Sequence, residues 1–398
     1  MRMRLSFPLL AILLAAAPAA AQGQAELFDQ TSVQEIRLFV NSRDLAAFRA
    51  HTELNTWYTA DLTWRNIRVR NVGIRSRGQG SRNPIKPGYR VDFAHYTTGQ
   101  TFVGLSSLVL DNIWQDDSQL RERLAFTMFE KAGLPAPRES FCRLYVNNEY
   151  QGLYAITEEI DGDFAKRVTG QTDGTVFEYH WSADGIWRAE DLGSVAAYKP
   201  KLEPRTHLLD ADSTLYNPIV TLFKEVSGPD DAVWRERVEQ YIDLTQFMTH
   251  VAVEEFIGEN DGVLGYAGMN NFYLYRDQGA SKHRLFVWDK DQSFIVATDT
   301  AVKRTDDNVI FRRAMAIPEL REVYLSTLEQ CARITATDDF LLLEIDRLVA
   351  VIFDAARSDP KKQFDNDRWD LAVAYLRDFA ARRPRIVLDD VARARAGR

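Results

Sequence analysis

The period of the hydrophobic pattern changes part-way along this chain, and that change limits the fold more than any other feature. In the first half it is two: Ile36, Leu38 and Val40 interleave with Arg37 and Phe39, Ile67 and Val69 with Arg68 and Arg70, and Tyr89, Val91 and Phe93 with Arg90 and Asp92. Such alternation predicts strands of a mixed or antiparallel sheet. A helix is expected over 118–132, stopped by Gly133 and Pro135, and then a hairpin around Asn147-Asn148. Further on the period lengthens. Asp243 and Gln246 resemble a capping box, with Met248, Val251, Ala252 and Phe256 on one face, and Leu341, Leu342, Ile345, Leu348 and Val349 mark a long helix from Asp338. Two strand candidates, 271–276 and 284–287, flank the turn Asp277-Gln278-Gly279, and the basic stretch 393–398 reads as a frayed end. A strand-rich N-terminal half and a helix-rich C-terminal half together predict an α+β fold with a cleft between lobes.

The chain opens Met1-Arg2-Met3-Arg4, runs through an apolar stretch at 5–17 and reaches Ala19-Ala20-Ala21, the pattern of a signal peptide over 1–21. No second long apolar run follows, so no stable membrane span is expected and the protein is expected to be secreted or periplasmic. A net charge of −8 argues against general nucleic-acid affinity, so any polyanion site must be a local basic pocket. Cys142 and Cys331 either form one disulfide or stay buried apart. With no repeat and no long linker, residues 22–398 read as one domain, with a motif-bearing core at about 73–295 and a helical extension at about 305–398.

Walker loops, Gly-x-Ser-x-Gly elbows, His-Glu-x-x-His helices and Cys-x-x-Cys pairs are missing, and the six histidines stand singly. What stands out is GIRSRGQGSR at 73–82, followed by Lys86 and Arg90. Glycines there let backbone amides approach anionic oxygens while Arg77, Arg82, Lys86 and the Ser81 hydroxyl supply charge and hydrogen bonds, although a solvated basic hairpin gives the same pattern. A second constellation gathers hard oxygen donors: ENDG at 259–262, NNFYLY at 270–275 and WDKD at 288–291. Carboxylates directly behind the apolar strand Leu285-Phe286-Val287 need partners, and a divalent cation is the simplest. A weaker third is Glu158 with Lys201, a carboxylate that orients a phosphate-binding lysine or an ordinary ion pair.

In this order the motifs resemble those of the CotH-type spore coat kinases, an atypical, secretory kinase-like family. The basic loop and Tyr-Arg strand at 73–90, the Leu120-Arg121 pair, NNEYQGLYAITEEID at 147–161, and the Asn260-Asp261, Asn270–Tyr275 and VWDKDQSFI segments carry the likeness. The resemblance implies a two-lobed, atypical protein-kinase-like fold that binds ATP with Mg2+ or Mn2+ and phosphorylates Ser/Thr hydroxyls of an exported protein or of itself. By position, Asp289 would bind metal, with Asn271 and Asp291 beside it, and Asp261 would be the catalytic carboxylate. Arg77, Ser81, Arg82, Lys86 and Lys201 would meet phosphates, Glu158 would orient a lysine, and Trp288 and Tyr154 would pack the base. Gly80, Asn270, Val287 and Ile295 depart from the family pattern at places where it has Ser, His, Pro and Gly. A non-catalytic exported binding or assembly protein on the same scaffold is therefore the alternative, and metal-dependent phosphoester hydrolysis a third.

Overall fold

The structure, a computed structural model, describes residues 19–182, 185–302 and 307–397. Most of the expected leader, residues 1–18, lies outside the described residues. The strand-rich half closes into a barrel in the order β1 (Gln34–Val40), β2 (Tyr58–Trp64), β3 (Ile67–Arg77), β4 (Gly88–Asp92), β5 (Ser107–Asp111), β7 (Glu149–Thr157) and β6 (Glu139–Val146). Neighbours are antiparallel except for β1 and β6, whose parallel pairing closes the ring. The period-two pattern explains the two faces: Ile36, Leu38, Val72, Ile74, Val91 and Leu144 fill the interior, while Arg75, Arg77 and Arg90 of β3 and β4 point outward. The β6–β7 turn is the asparagine pair read from sequence, with φ of 50° at Asn147 and 68° at Asn148, the left-handed geometry a two-residue hairpin needs.

A second sheet, in the order β11 (His283–Val287), β10 (Phe272–Arg276), β8 (Thr175–Tyr179) and β9 (Leu202–Pro204), lies against the outward arginines. Arg90 approaches Glu159 at 3.5 Å, and Arg205, just past β9, reaches Glu159 at 3.1 Å and Glu178 at 3.5 Å. Arg90, Arg205, Glu159 and Glu178 thereby have partners of opposite sign where the two sheets meet, as a low-dielectric seam requires.

The helical half packs around Leu244–Ile257, with Pro318–Ala336, Phe340–Arg357 and Asn366–Arg395 about it. The sequence assigned this helix one apolar face. The structure buries most of it, and all of residues 250–257, His250, Glu254 and Glu255 included, with His250 and Glu254 bonded to each other and Lys290 pairing with Glu254 from the turn after β11. The capping box forms only in half: the Asp243 carboxylate accepts from the Gln246 amide at 2.9 Å, but the Gln246 side chain turns away and bonds both the N–H and C=O of Leu285. Gly258, at φ 66°, ends the helix. Arg383, from the last helix, is almost fully buried and donates to the carbonyls of Glu255, Phe256, Ala297 and Asp299, satisfying the end of that helix with a cation.

Other expectations change. Arg393 and Arg395 are not a frayed tail but part of Asn366–Arg395, paired with Asp390, Glu322 and Glu329. Cys142 lies in the barrel core and Cys331 in the helical core, both as free thiols. Tyr154 is sealed inside the barrel with its hydroxyl on the Pro87 carbonyl at 3.0 Å, which removes it from any base-packing role.

Replacing Arg383 with methionine, which keeps the bulk and removes every donor, is expected to cost about 2–4 kcal/mol in urea unfolding. An unchanged unfolding midpoint would show that the cap contributes nothing.

Candidate functional site

Two turns bring the acidic residues to the seam. After Gly258 the chain doubles back, with the Glu259 N–H on the Glu254 carbonyl at 2.9 Å, and places Asp261 ten residues before Asn271 at the start of β10. At the end of β11 the chain passes Trp288 and takes φ 51° at Asp289; Asn271 sits at φ 54°. Left-handed backbone at two non-glycine residues stores strain, and both flank the strand ends where Phe272 pairs with Val287. Lys290, fully buried, holds the turn by bonding the Asn271 carbonyl at 2.8 Å and Glu254 at 3.0 Å. Asn271 donates to Asp261 Oδ2 at 3.1 Å, whereas Asp261 Oδ1 is buried with no hydrogen-bond partner among the described residues.

Facing these turns, the barrel contributes strand ends and one helix start. Arg77 closes β3 and pairs with Asp111, the last residue of β5, at 2.6 Å; its guanidinium lies 5.2 Å from the centre of the Trp288 ring. Glu122 stands in the first turn of Arg121–Lys131, and Glu139 begins β6 with Thr157 donating to it at 3.2 Å. One pocket is lined by Arg77, Gly78, Ser81, Asp111, Asp116, Glu122, Glu139, Asp289 and Asp291 together.

Several carboxylates crowd a pocket that, among the described residues, is lined by only two cations, Arg77 and Arg123, and their pKa values show the strain. Burial pushes Asp289 up to about 6 against the pull of Arg77. It raises Glu139 to about 8, and lifts Asp291 and Glu122 well above the usual carboxylate range with neighbouring carboxylates adding to the effect. Buried carboxyl groups that resist ionisation need either protons or a cation. The donor set is all hard oxygen, which fits Mg2+ or Mn2+.

Of the residues singled out from sequence, Arg77, Ser81, Asp289 and Asp291 share this pocket, with Asp261, Asn271 and Trp288 beside it. Four others have different company. Lys86 is buried in an ion pair with Asp359 at 2.7 Å, far along the chain. Arg82 bonds the Gly78 carbonyl at 2.6 Å and the Asn55 side chain at 2.5 Å. Glu158 accepts from Arg138 and Arg167, both at 2.6 Å, and Lys201 donates to the Gly185 carbonyl at 2.9 Å. Sequence reading passed over Asp111, Glu122 and Glu139. An aspartate ending the apolar run Ser107–Asp111 was a visible signal of the kind used for Asp289.

Residues 74–387 match the family described as CotH kinase protein. The chain belongs to that CotH family. The match begins within β3, takes in the later barrel strands, the pocket and most of the C-terminal helices, and runs well past the last motif read from sequence. A CotH relative, inner spore coat protein H of Bacillus subtilis (strain 168), is 23% identical over 371 residues, which cover 91% of this chain and 98% of that protein. Among the described residues no helix is long and apolar enough to cross a membrane.

The raised pKa values give the direction in which stability varies with pH in a chelator. Asp289 and Glu139 bind protons more tightly folded than unfolded, so the folded state holds extra protons from 3.8 to about 6 for Asp289 and from 4.5 to about 8 for Glu139. Stability must therefore fall as pH rises through those windows. Thermal unfolding with EDTA is expected to show this fall, and millimolar Mn2+ to reverse it at pH 8. A pH-independent Tm insensitive to Mn2+ would contradict the cation site.

Proposed function

We propose that this CotH chain is an exported, metal-dependent kinase that transfers the γ-phosphoryl group of ATP to Ser/Thr hydroxyls of an exported protein or of itself. The observation that carries the reading is the pocket itself, where the guanidinium groups of Arg77 and Arg123 meet Asp111, Glu122, Glu139, Asp289 and Asp291 at the seam between barrel and helical half. In this reading the seam is the cleft of a two-lobed, kinase-like fold.

Asp289 and Asp291, with Asn271 near them, are the residues to hold Mg2+ or Mn2+, which when bound neutralises phosphate charge. Arg77 is pre-positioned for a phosphate oxygen by its Asp111 pair and by Trp288 beneath it, so little ordering entropy is lost on binding. Ser81 adds a hydroxyl donor from the glycine loop. Asp261 orients the acceptor hydroxyl and takes its proton: Asn271 occupies Oδ2, and Oδ1 is left to accept. Burial raises the pKa of Asp261 against the pull of Asn270, Lys290 and Asn271, which makes it a better proton acceptor than a surface carboxylate.

The second reading, a binding or assembly protein without turnover, draws on Lys86. Held by Asp359, that lysine is not available to a phosphate, and the pocket is left poorer in cations. Labelled γ-phosphate separates the two. Wild-type protein with Mn2+ is expected to incorporate label, Asp289→Ala to lose both label and metal-dependent nucleotide binding, and Asp261→Asn to keep nucleotide binding while incorporation falls roughly 100-fold or more. Nucleotide binding without label in the wild type would establish the scaffold instead.

A further inference from the structure

A group that no motif pointed to faces into the pocket. Gln119 is 1% exposed and lines the cavity with Asp289 and Asp291, yet neither its Oε1 nor its Nε2 has a hydrogen-bond partner among the described residues. A primary amide carries an acceptor oxygen and two N–H donors, and leaving all of them unmet in a buried position is unfavourable. The backbone adds to the cost, with Gln119 at φ 61°, a left-handed conformation that side chains other than glycine rarely take.

The surrounding loop enforces this arrangement. Asp116 accepts from the Ser118 N–H at 2.8 Å, the Ser118 hydroxyl at 2.6 Å and the Arg121 N–H at 2.7 Å, and its carbonyl takes the Gln119 N–H at 3.2 Å. Arg121 returns to Asp116 at 3.2 Å and Asp117 at 2.6 Å. A loop this fully bonded holds one strained residue whose side chain bonds to nothing. Close by, Arg123 also lines the pocket, its Nε and Nη1 without a hydrogen-bond partner among the described residues. Unmet donors and an unmet acceptor beside carboxylates suit a ligand that is cationic on one side and anionic on the other.

We propose that the Gln119 carboxamide is a ligand-binding group of this pocket, with Oε1 facing a divalent cation or its water and Nε2 donating to a phosphate oxygen of the nucleotide. The proposal rests on the metal-and-nucleotide reading above and adds to it the residue that senses both halves of the complex. Strain and unmet polarity in the free protein are then offset on binding.

The test titrates the full chain first with Mn2+ alone, followed by electron paramagnetic resonance, and then with ADP at saturating Mn2+. Wild type, Gln119→Ala, Gln119→Gly and Gln119→Glu are compared, each with its thermal unfolding curve. Ala and Gly variants are expected to melt no lower than wild type, since no protein hydrogen bond is lost, yet to bind Mn2+·ADP about tenfold or more weakly. The Glu variant, which keeps an oxygen and loses the donor, is expected to retain Mn2+ and lose ADP affinity. Undiminished ADP affinity in the Ala and Gly variants would overturn the proposal. So would a lower melting temperature with ligand affinity unchanged, the mark of a purely structural side chain. Wild type that binds neither Mn2+ nor Mn2+·ADP would instead overturn the underlying reading of the pocket, and this proposal with it.

Discussion

The buried pair of Lys290 and Glu254 is the contact on which the site depends. Neither charge is tolerable alone at this depth, and together they fix the core helix against the turn after β11 at 3.0 Å. Burial works against the Glu254 carboxylate, but Lys290 and His250 outweigh it and hold its pKa down at about 2. The same carboxylate accepts the Val263 N–H at 2.8 Å and packs so closely on Gly262 that an added Cβ would lie 2.6 Å from it. Through this pair Asp261, Asn271 and Asp289 are arranged by one ionic anchor.

Opposite that anchor the barrel provides a rigid wall. Hydrogen bonding around a closed ring leaves its strand ends little freedom, so Arg77, Asp111 and Glu139 stand at defined positions at the rim. The pocket is consequently shaped by two independent cores, apolar barrel interior on one side and helical core on the other, and its carboxylates are crowded because both are stiff. A second acidic group, Glu178, His180 and Glu203, meets across β8 and β9, but Arg205 lies within 3.5 Å of Glu178 and supplies the charge a cation would.

Local pattern revealed much of this. The alternation of the first half, the asparagine hairpin, the strands about Asp277-Gln278-Gly279 and the hard-oxygen segments around Asp261, Asn271 and Asp289 are all written in neighbouring residues, and the structure carries those elements. What escaped depends on distance along the chain. Barrel closure joins β1 to β6 in parallel, and no local period encodes it. Lys86 looked like a phosphate ligand because its partner, Asp359, lies 273 residues away. Glu122 and Glu139 were unremarkable charged residues until the helix start and the strand start converged, and Gln119 has no signature because its significance lies in the bonds it does not make.

The central claim is that the barrel rim and the two strand-end turns enclose one site for a divalent cation and a nucleotide phosphate. A crystal structure with Mn2+ and a non-hydrolysable ATP analogue, with anomalous scattering collected at the manganese edge, addresses it directly. The account predicts a manganese peak in contact with Asp289 and Asp291 and phosphate oxygens against Arg77. A peak confined to Glu178, His180 and Glu203, or a nucleotide bound away from Arg77, would contradict it.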